Sequence, residues 1–213
     1  MQKSTTPFLL ISCFLLLVSC ASHELTKGYA TQALQKNTYE VPYFLNPQTD
    51  YVYKANISVY GNELSGIFIA KKINETTHRV VFTTEFGNKL LDFEISETQF
   101  KVNSIVSELD KKILINTLKS DFRLLLRSQY NISKQFENTE DTIYQSQAGN
   151  KYYYLFTSKP DNKLYKIVEA SKRKEKINLS FTSENNIFAQ RIIIQHYNIK
   201  LRIEFNFFKP QSN

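Results

Sequence analysis

From residue 51 the chain alternates apolar and polar positions: Tyr51, Tyr53, Ala55, Ile57 and Val59 fall on one face, Lys54, Asn56 and Ser58 on the other. That period of two predicts a half-buried strand. Gly61 and Asn62 mark a turn, and Leu64, Ile67, Phe68 and Ile69 lie in a second expected strand over 64–71, making a hairpin. Further strands are expected at 79–85 and 89–96, on either side of Gly87 and Asn88. In the later one Leu91, Phe93 and Ile95 face inward while Asp92 and Glu94 face outward. A fifth strand is expected at 99–105. The period then lengthens, because Leu109, Ile113, Leu114, Leu118, Phe122, Leu125 and Leu126 recur three or four apart, which predicts an amphipathic helix. Ser107 followed by Asp110 has the form of a capping box with Asp in the place of Glu, and puts the helix start near Glu108.

Residues 128–140 are polar but carry Tyr130, Ile132 and Phe136, and read as a loop with an apolar side. Strands resume at 142–147, 151–158, 163–170, 176–182, 187–197 and 199–207, separated by turn-forming residues such as Gly149, Asn150, Pro160, Asp161 and Asn198. Such a succession is a meander. The expected fold class is therefore α+β: a curved, mainly antiparallel, eleven-stranded sheet, open as a half-barrel, packed on one main helix and minor helical segments. Residues 51–208 form the expected domain and 209–213 a tail. Residues 20–50 read as a tether, with Pro42 and Pro47 breaking any long helix and room for a short one near 29–36.

The start of the chain changes the picture. Lys3 precedes an apolar run from Pro7 to Val18 that ends in Leu17, Val18, Ser19 and Cys20. A run of about a dozen residues is too short for a mature membrane span, which takes about twenty. The order of charge, apolar middle and small-residue exit predicts a signal peptide over 1–19. The LVSC ending resembles the lipobox, in which the cysteine sulfur takes a diacylglycerol, so Cys20 is the expected lipidation site. Cleavage removes Cys13 as well, leaving no pair for a disulfide. It also removes Lys3, lowering the formal net charge of the 213-residue chain from +7 to +6. A surplus of that size favours anionic headgroups without demanding nucleic acid. Ala21 and Ser22 follow the cysteine without the Asp that retains many lipoproteins at the inner membrane. The expected place is the outer membrane of a Gram-negative envelope, facing the periplasm.

Little in the chain suggests catalysis. The three histidines, His23, His78 and His196, fall in the tether, beside a turn and late in a strand, and no GxSxG elbow occurs. No helix pairs histidines at metal spacing, and no glycine loop suits a phosphate-cradling motif. No enzyme, metal or other cofactor is expected. Asp92 and Glu94 read as a solvated strand face, and the basic run Lys172, Arg173, Lys174 and Lys176 as a charged turn.

The stretch LSGIFIAKK at 64–72, followed by RVVFTTEFGNKLLDFEIS at 79–96, sits within the strand and helix pattern of a lipidated chain. Together they resemble the outer-membrane lipoprotein carrier and receptor superfamily (LolA/LolB-like), and within it the lipidated LolB receptors. The resemblance implies a non-catalytic, membrane-anchored protein that shelters acyl chains of other lipoproteins and helps insert them at the outer membrane, receiving them from a soluble periplasmic carrier. Phe86 and Gly87 would form its protruding apolar loop. Candidate groove residues are Ile57, Ile69, Val81, Leu91, Phe93, Leu179, Phe181, Ile194 and Ile203. The alternative is a structural lipoprotein that docks a protein partner in an envelope complex, its core filled and without lipid cargo. Both bury the same alternating apolar faces.

Overall fold

The computed structural model describes residues 24–171 and 174–208. After a short 3-10 turn at Glu24–Thr26 come β1 (Ala30–Gln32), β2 (Thr38–Glu40), β3 (Asp50–Val59), β4 (Asn62–Lys72), β5 (His78–Thr83), β6 (Lys89–Ile95) and β7 (Phe100–Ile105). Helix α1 (Lys112–Leu126) follows, then β8 (Gln129–Glu137), β9 (Asp141–Ala148), β10 (Lys151–Ser158), β11 (Leu164–Ser171), β12 (Lys174–Ser183), β13 (Ala189–His196) and β14 (Leu201–Phe207). All strands join one antiparallel sheet in the order β1, β8 to β14, then β3 to β7, with β2 also paired to β8. The sheet is open, with β7 at one edge and the β1 and β2 pieces at the other.

Among the described residues fourteen strands stand where eleven were expected, and the three additions have identifiable causes. β8 falls in the expected loop at 128–140. Its register slips between Ile132 and Lys134, and its next inward position is the buried Gln135, so the alternation breaks where sequence reading needs it. β1 and β2 are three residues each, too short to show a period, and they pair with opposite ends of β8. The expected short helix near 29–36 is absent. Part of the expected tether joins the core: Tyr39, Val41, Tyr43 and Phe44 are all buried, although most of the residues before Tyr39 are exposed. Tyr43 stacks on Phe181 with centroids 4.4 Å apart, and its hydroxyl donates to the Leu164 carbonyl at 2.7 Å. Burial pushes the Tyr43 phenol up to about 12, so it stays a donor.

Helix α1 begins at Lys112, later than the expected capping box. Ser107 Oγ bonds to Glu108 instead of a helix amide, Lys111 is extended with no side-chain cap, and residues 106–110 make turns. The chain enters α1 from β7 and leaves it into β8, which lie toward opposite edges of the sheet, so the helix must cross the sheet's face. Its apolar stripe, Leu118, Phe122, Leu125 and Leu126, is buried, and Phe122 meets Phe68 of β4 at 5.4 Å between centroids. Gly66 on β4 is needed for a close approach. A Cβ there would run into the Thr83 carbonyl and the Phe82 ring, where β5 bulges.

Candidate functional site

Strand register decides which candidate residues share the face beneath α1. Tyr53 pairs with Phe68, Phe68 with Phe82 and Phe82 with Leu91, while Ala70 pairs with Val80 and Val80 with Phe93. On the other side, Leu179 pairs with Ile194, Ile194 with Ile203 and Ile203 with Ile57. Paired residues point to the same side of a sheet. The structure therefore brings Ile57, Leu91, Phe93, Leu179, Phe181, Ile194 and Ile203 onto one buried inner face. Ile69 and Val81 are not there. They pair with each other, flanked by Val52 and Asp92, on the outer face and only half-buried. The run Ile67, Phe68, Ile69 is apolar on both sides, so periodicity could not say which side faced in.

Polar contacts fasten α1 over this face at two places. Asp121, fully buried, meets His196 of β13, Oδ1 to Nε2 at 2.9 Å. Its other oxygen, Oδ2, and the Tyr130 hydroxyl have no hydrogen-bond partner among the described residues. Burial drives the Asp121 carboxyl above the usual range, against the lowering effect of His196. At the helix end, the Arg123 guanidinium donates to the carbonyls of Ser96 (2.9 Å) and Gln99 (3.2 Å) in the β6–β7 turn. Arg127, just past the helix, pairs with Glu97 at 3.0 Å and lies over the Tyr130 ring at 4.2 Å. A cleft of about 390 Å³ opens here, with His78, Ile95, Phe122 and Leu126 among its walls. These fastenings were missed from sequence, although one signal was available. A charged residue at 121 sits on the Leu118–Phe122–Leu125 stripe, where helical spacing allows only buried side chains.

Phe86 lies at the tip of the β5–β6 turn and is 95% exposed. The turn is closed by Thr84 and Asn88, with Thr84 N donating to the Asn88 carbonyl at 2.9 Å, and Gly87 takes φ +85°, a conformation that glycine adopts without strain. The turn's own bonds thus hold a phenyl ring in solvent.

Other expectations meet different outcomes. Asp92 does point to the outer face, yet it is 1% exposed and surrounded by donors: two from Arg79 at 2.9 and 2.6 Å, one from Lys89 at 3.0 Å and one from Asn103 at 3.3 Å. Arg79 above all, with Lys89 and Asn103, holds its carboxyl well below the usual range. Glu94 is half-buried and accepts from Asn103 at 2.9 Å. His78 is buried and donates to the Phe44 carbonyl at 3.0 Å, while His196 serves Asp121. No cluster of three or more His, Cys, Asp or Glu placed to hold a metal occurs among the described residues. No helix among them is long and apolar enough to cross a membrane. Cys20, His23, Lys172 and Arg173 lie outside the described residues.

No protein-family model matches the chain, and no curated protein matches it. Solved structures do. A LolA superfamily protein from Nitrosomonas europaea superposes with a TM-score of 0.49 at 9% identity, over 78% of this chain and 87% of that one. A DUF1329 family protein from Desulfovibrio piger gives 0.42 at 10%, over 75% and 84%. A domain assigned to outer membrane lipoprotein sorting, from Vibrio parahaemolyticus, gives 0.43 at 7%, over 75% and 83%. These are similarities of chain path alone, and no ligand, partner or activity transfers on them.

Proposed function

We propose that the protein is a lipid-anchored, non-catalytic receptor that shelters acyl chains of other lipoproteins between α1 and the inner face and helps insert them at the outer membrane. The observation that carries this reading is a helix, α1, laid across an apolar, open-edged sheet and fastened by a few polar contacts: Asp121 to His196, Arg123 to Ser96 and Gln99, and Arg127 to Glu97. Shifting such a cover exposes Leu91, Phe93, Ile194 and Ile203 together. Acyl chains gain about 0.8 kcal/mol per buried CH2, enough for a short stretch of chain to offset the broken contacts. Cys20 would tie the receptor to its membrane, and the exposed Phe86 would touch cargo or bilayer. Acylated lipoproteins, delivered by a soluble periplasmic carrier, are the proposed partners.

One observation favours a second reading. The inner face is filled in this structure, with Ile57 at 8% exposure the most accessible of its seven candidate residues. A filled core suits a structural lipoprotein that docks a protein partner. The two readings part at Phe86. Phe86→Glu leaves the melting temperature within the change expected of an exposed site, about 0.5 kcal/mol or less. On the receptor reading it also lowers transfer of an acylated protein into liposomes. Unchanged transfer with unchanged melting would remove Phe86 from the mechanism and favour the docking reading.

A further inference from the structure

A second cleft, of about 340 Å³, lies between α1 and the inner face of β10 and β11. Helical spacing puts Lys119 and Arg123 one turn apart on this side of α1, and Arg127 continues the row. Lys151 of β10 faces them, and Ser120 and Tyr153 supply hydroxyls to the same cleft. Like charges four residues apart weaken a helix, so the row costs stability unless something compensates it. The compensation is partial. Arg127 has Glu97, and Lys151 has Glu169 at 2.8 Å. Arg123 spends its bonds on two neutral carbonyls, and Lys119 lies 5.4 Å over the Phe100 ring. Neither has a carboxylate partner among the described residues, so the cleft keeps a positive surplus. It shares Glu97, Arg123 and Arg127 with the larger cleft, whose walls include Phe122, Leu126 and Ile95. A cationic recess thus adjoins a mostly polar one that has an apolar strip of three side chains, Ile95, Phe122 and Leu126, along the helix.

The geometry points to a site here for a net anionic, phosphate-bearing headgroup, held by Lys119, Arg123 and Ser120, with its acyl chains directed under α1. The ligand class is an anionic phospholipid. This deepens the acyl-chain reading and rests on it for the chains, whereas the headgroup contacts stand on the cleft alone. Guanidinium and ammonium donors make short, charge-assisted bonds to phosphate oxygens, and a zwitterionic headgroup brings its own cation into the same recess. Discrimination therefore follows net charge.

The test uses the mature full chain in neutral detergent, offered equal amounts of phosphatidylglycerol and phosphatidylcholine, with retained lipid read by native mass spectrometry and inorganic phosphate added as a separate competitor. The expected result is about tenfold greater retention of phosphatidylglycerol, equivalent to about 1.4 kcal/mol. Lys119→Gln should bring retention of the two lipids within about twofold at unchanged melting temperature, and Lys119→Arg should restore the preference. Inorganic phosphate that binds while neither lipid is retained would support the anion site, assign it to a free phosphate and sink the acyl-chain reading. Equal retention of the two lipids by the unmodified chain would overturn the anion site and leave the acyl-chain reading standing. A preference that survives Lys119→Gln would overturn the assignment to this cleft. If neither lipid nor phosphate binds, both proposals fail.

Discussion

The outer face of β5 to β7 and the seam beneath α1 each bury a carboxylate, and they treat it in opposite ways. Asp92 is enclosed by Arg79, Lys89 and Asn103, and its charge is satisfied from several directions. Asp121 has one ring nitrogen at Oδ1 and nothing at Oδ2 among the described residues. The same burial therefore yields a depressed carboxyl pKa in one place and a raised one in the other. The difference teaches where the molecule is rigid. Satisfied charge networks fix geometry, while an undersupplied buried charge makes its own interface costly to keep closed. The costly interface is the one between helix and sheet.

The largest effect is expected from His196→Leu, which strands Asp121 without a partner. Loss of about 3–5 kcal/mol at neutral pH should appear in denaturant melts, with recovery to near the original stability when Asp121→Leu is added. Failure of the double variant to recover would mean that the pair positions more than itself. Asp92→Asn should cost less, about 2 kcal/mol, because Arg79 and Lys89 can return to water. Its pH dependence has a definite sign. A carboxyl held below its ordinary value of 3.8 contributes stability above that pH and loses it as pH falls, so the variant's deficit should shrink in acid.

Asp121→Asn should have the smallest effect at neutral pH, within about 1 kcal/mol in either direction. Its signature is in the slope. A carboxyl raised by folding binds protons more readily when folded, so its cost is absent below 3.8 and grows as pH rises toward the folded pKa. Melting followed from pH 7 down to pH 4 should show a flatter dependence in Asp121→Asn than in the unmodified chain. An unaltered slope would mean that Asp121 is ionised throughout that range.

Much of this was written in the alternation of side chains. Strands such as β3, β12 and β14 follow residues whose period of two is intact, the other expected strands follow apolar runs bounded by turn residues, and α1 follows a stripe with few interruptions. Sequence reading failed where the pattern carries little information: at β8, where a bulge and the inward Gln135 break the period, and at β1 and β2, which are too short to have one. It failed again for Ile69 and Val81, because neighbouring apolar residues fill both faces of β4 and β5. Of the site, Phe86 was legible as a large aromatic at a turn. The fastenings of α1 were not, since Arg123 meets backbone carbonyls that any sequence offers and His196 lies 75 residues from Asp121.

The central claim is that acyl chains enter beneath α1. It is tested most directly by native mass spectrometry of the mature chain mixed with a triacylated lipopeptide, beside the same peptide without its acyl groups. The account predicts a one-to-one complex with the acylated peptide only, weakened when the inner-face residue Ile194 is changed to Asn. A folded chain that retains neither peptide, or retains both alike, would contradict it.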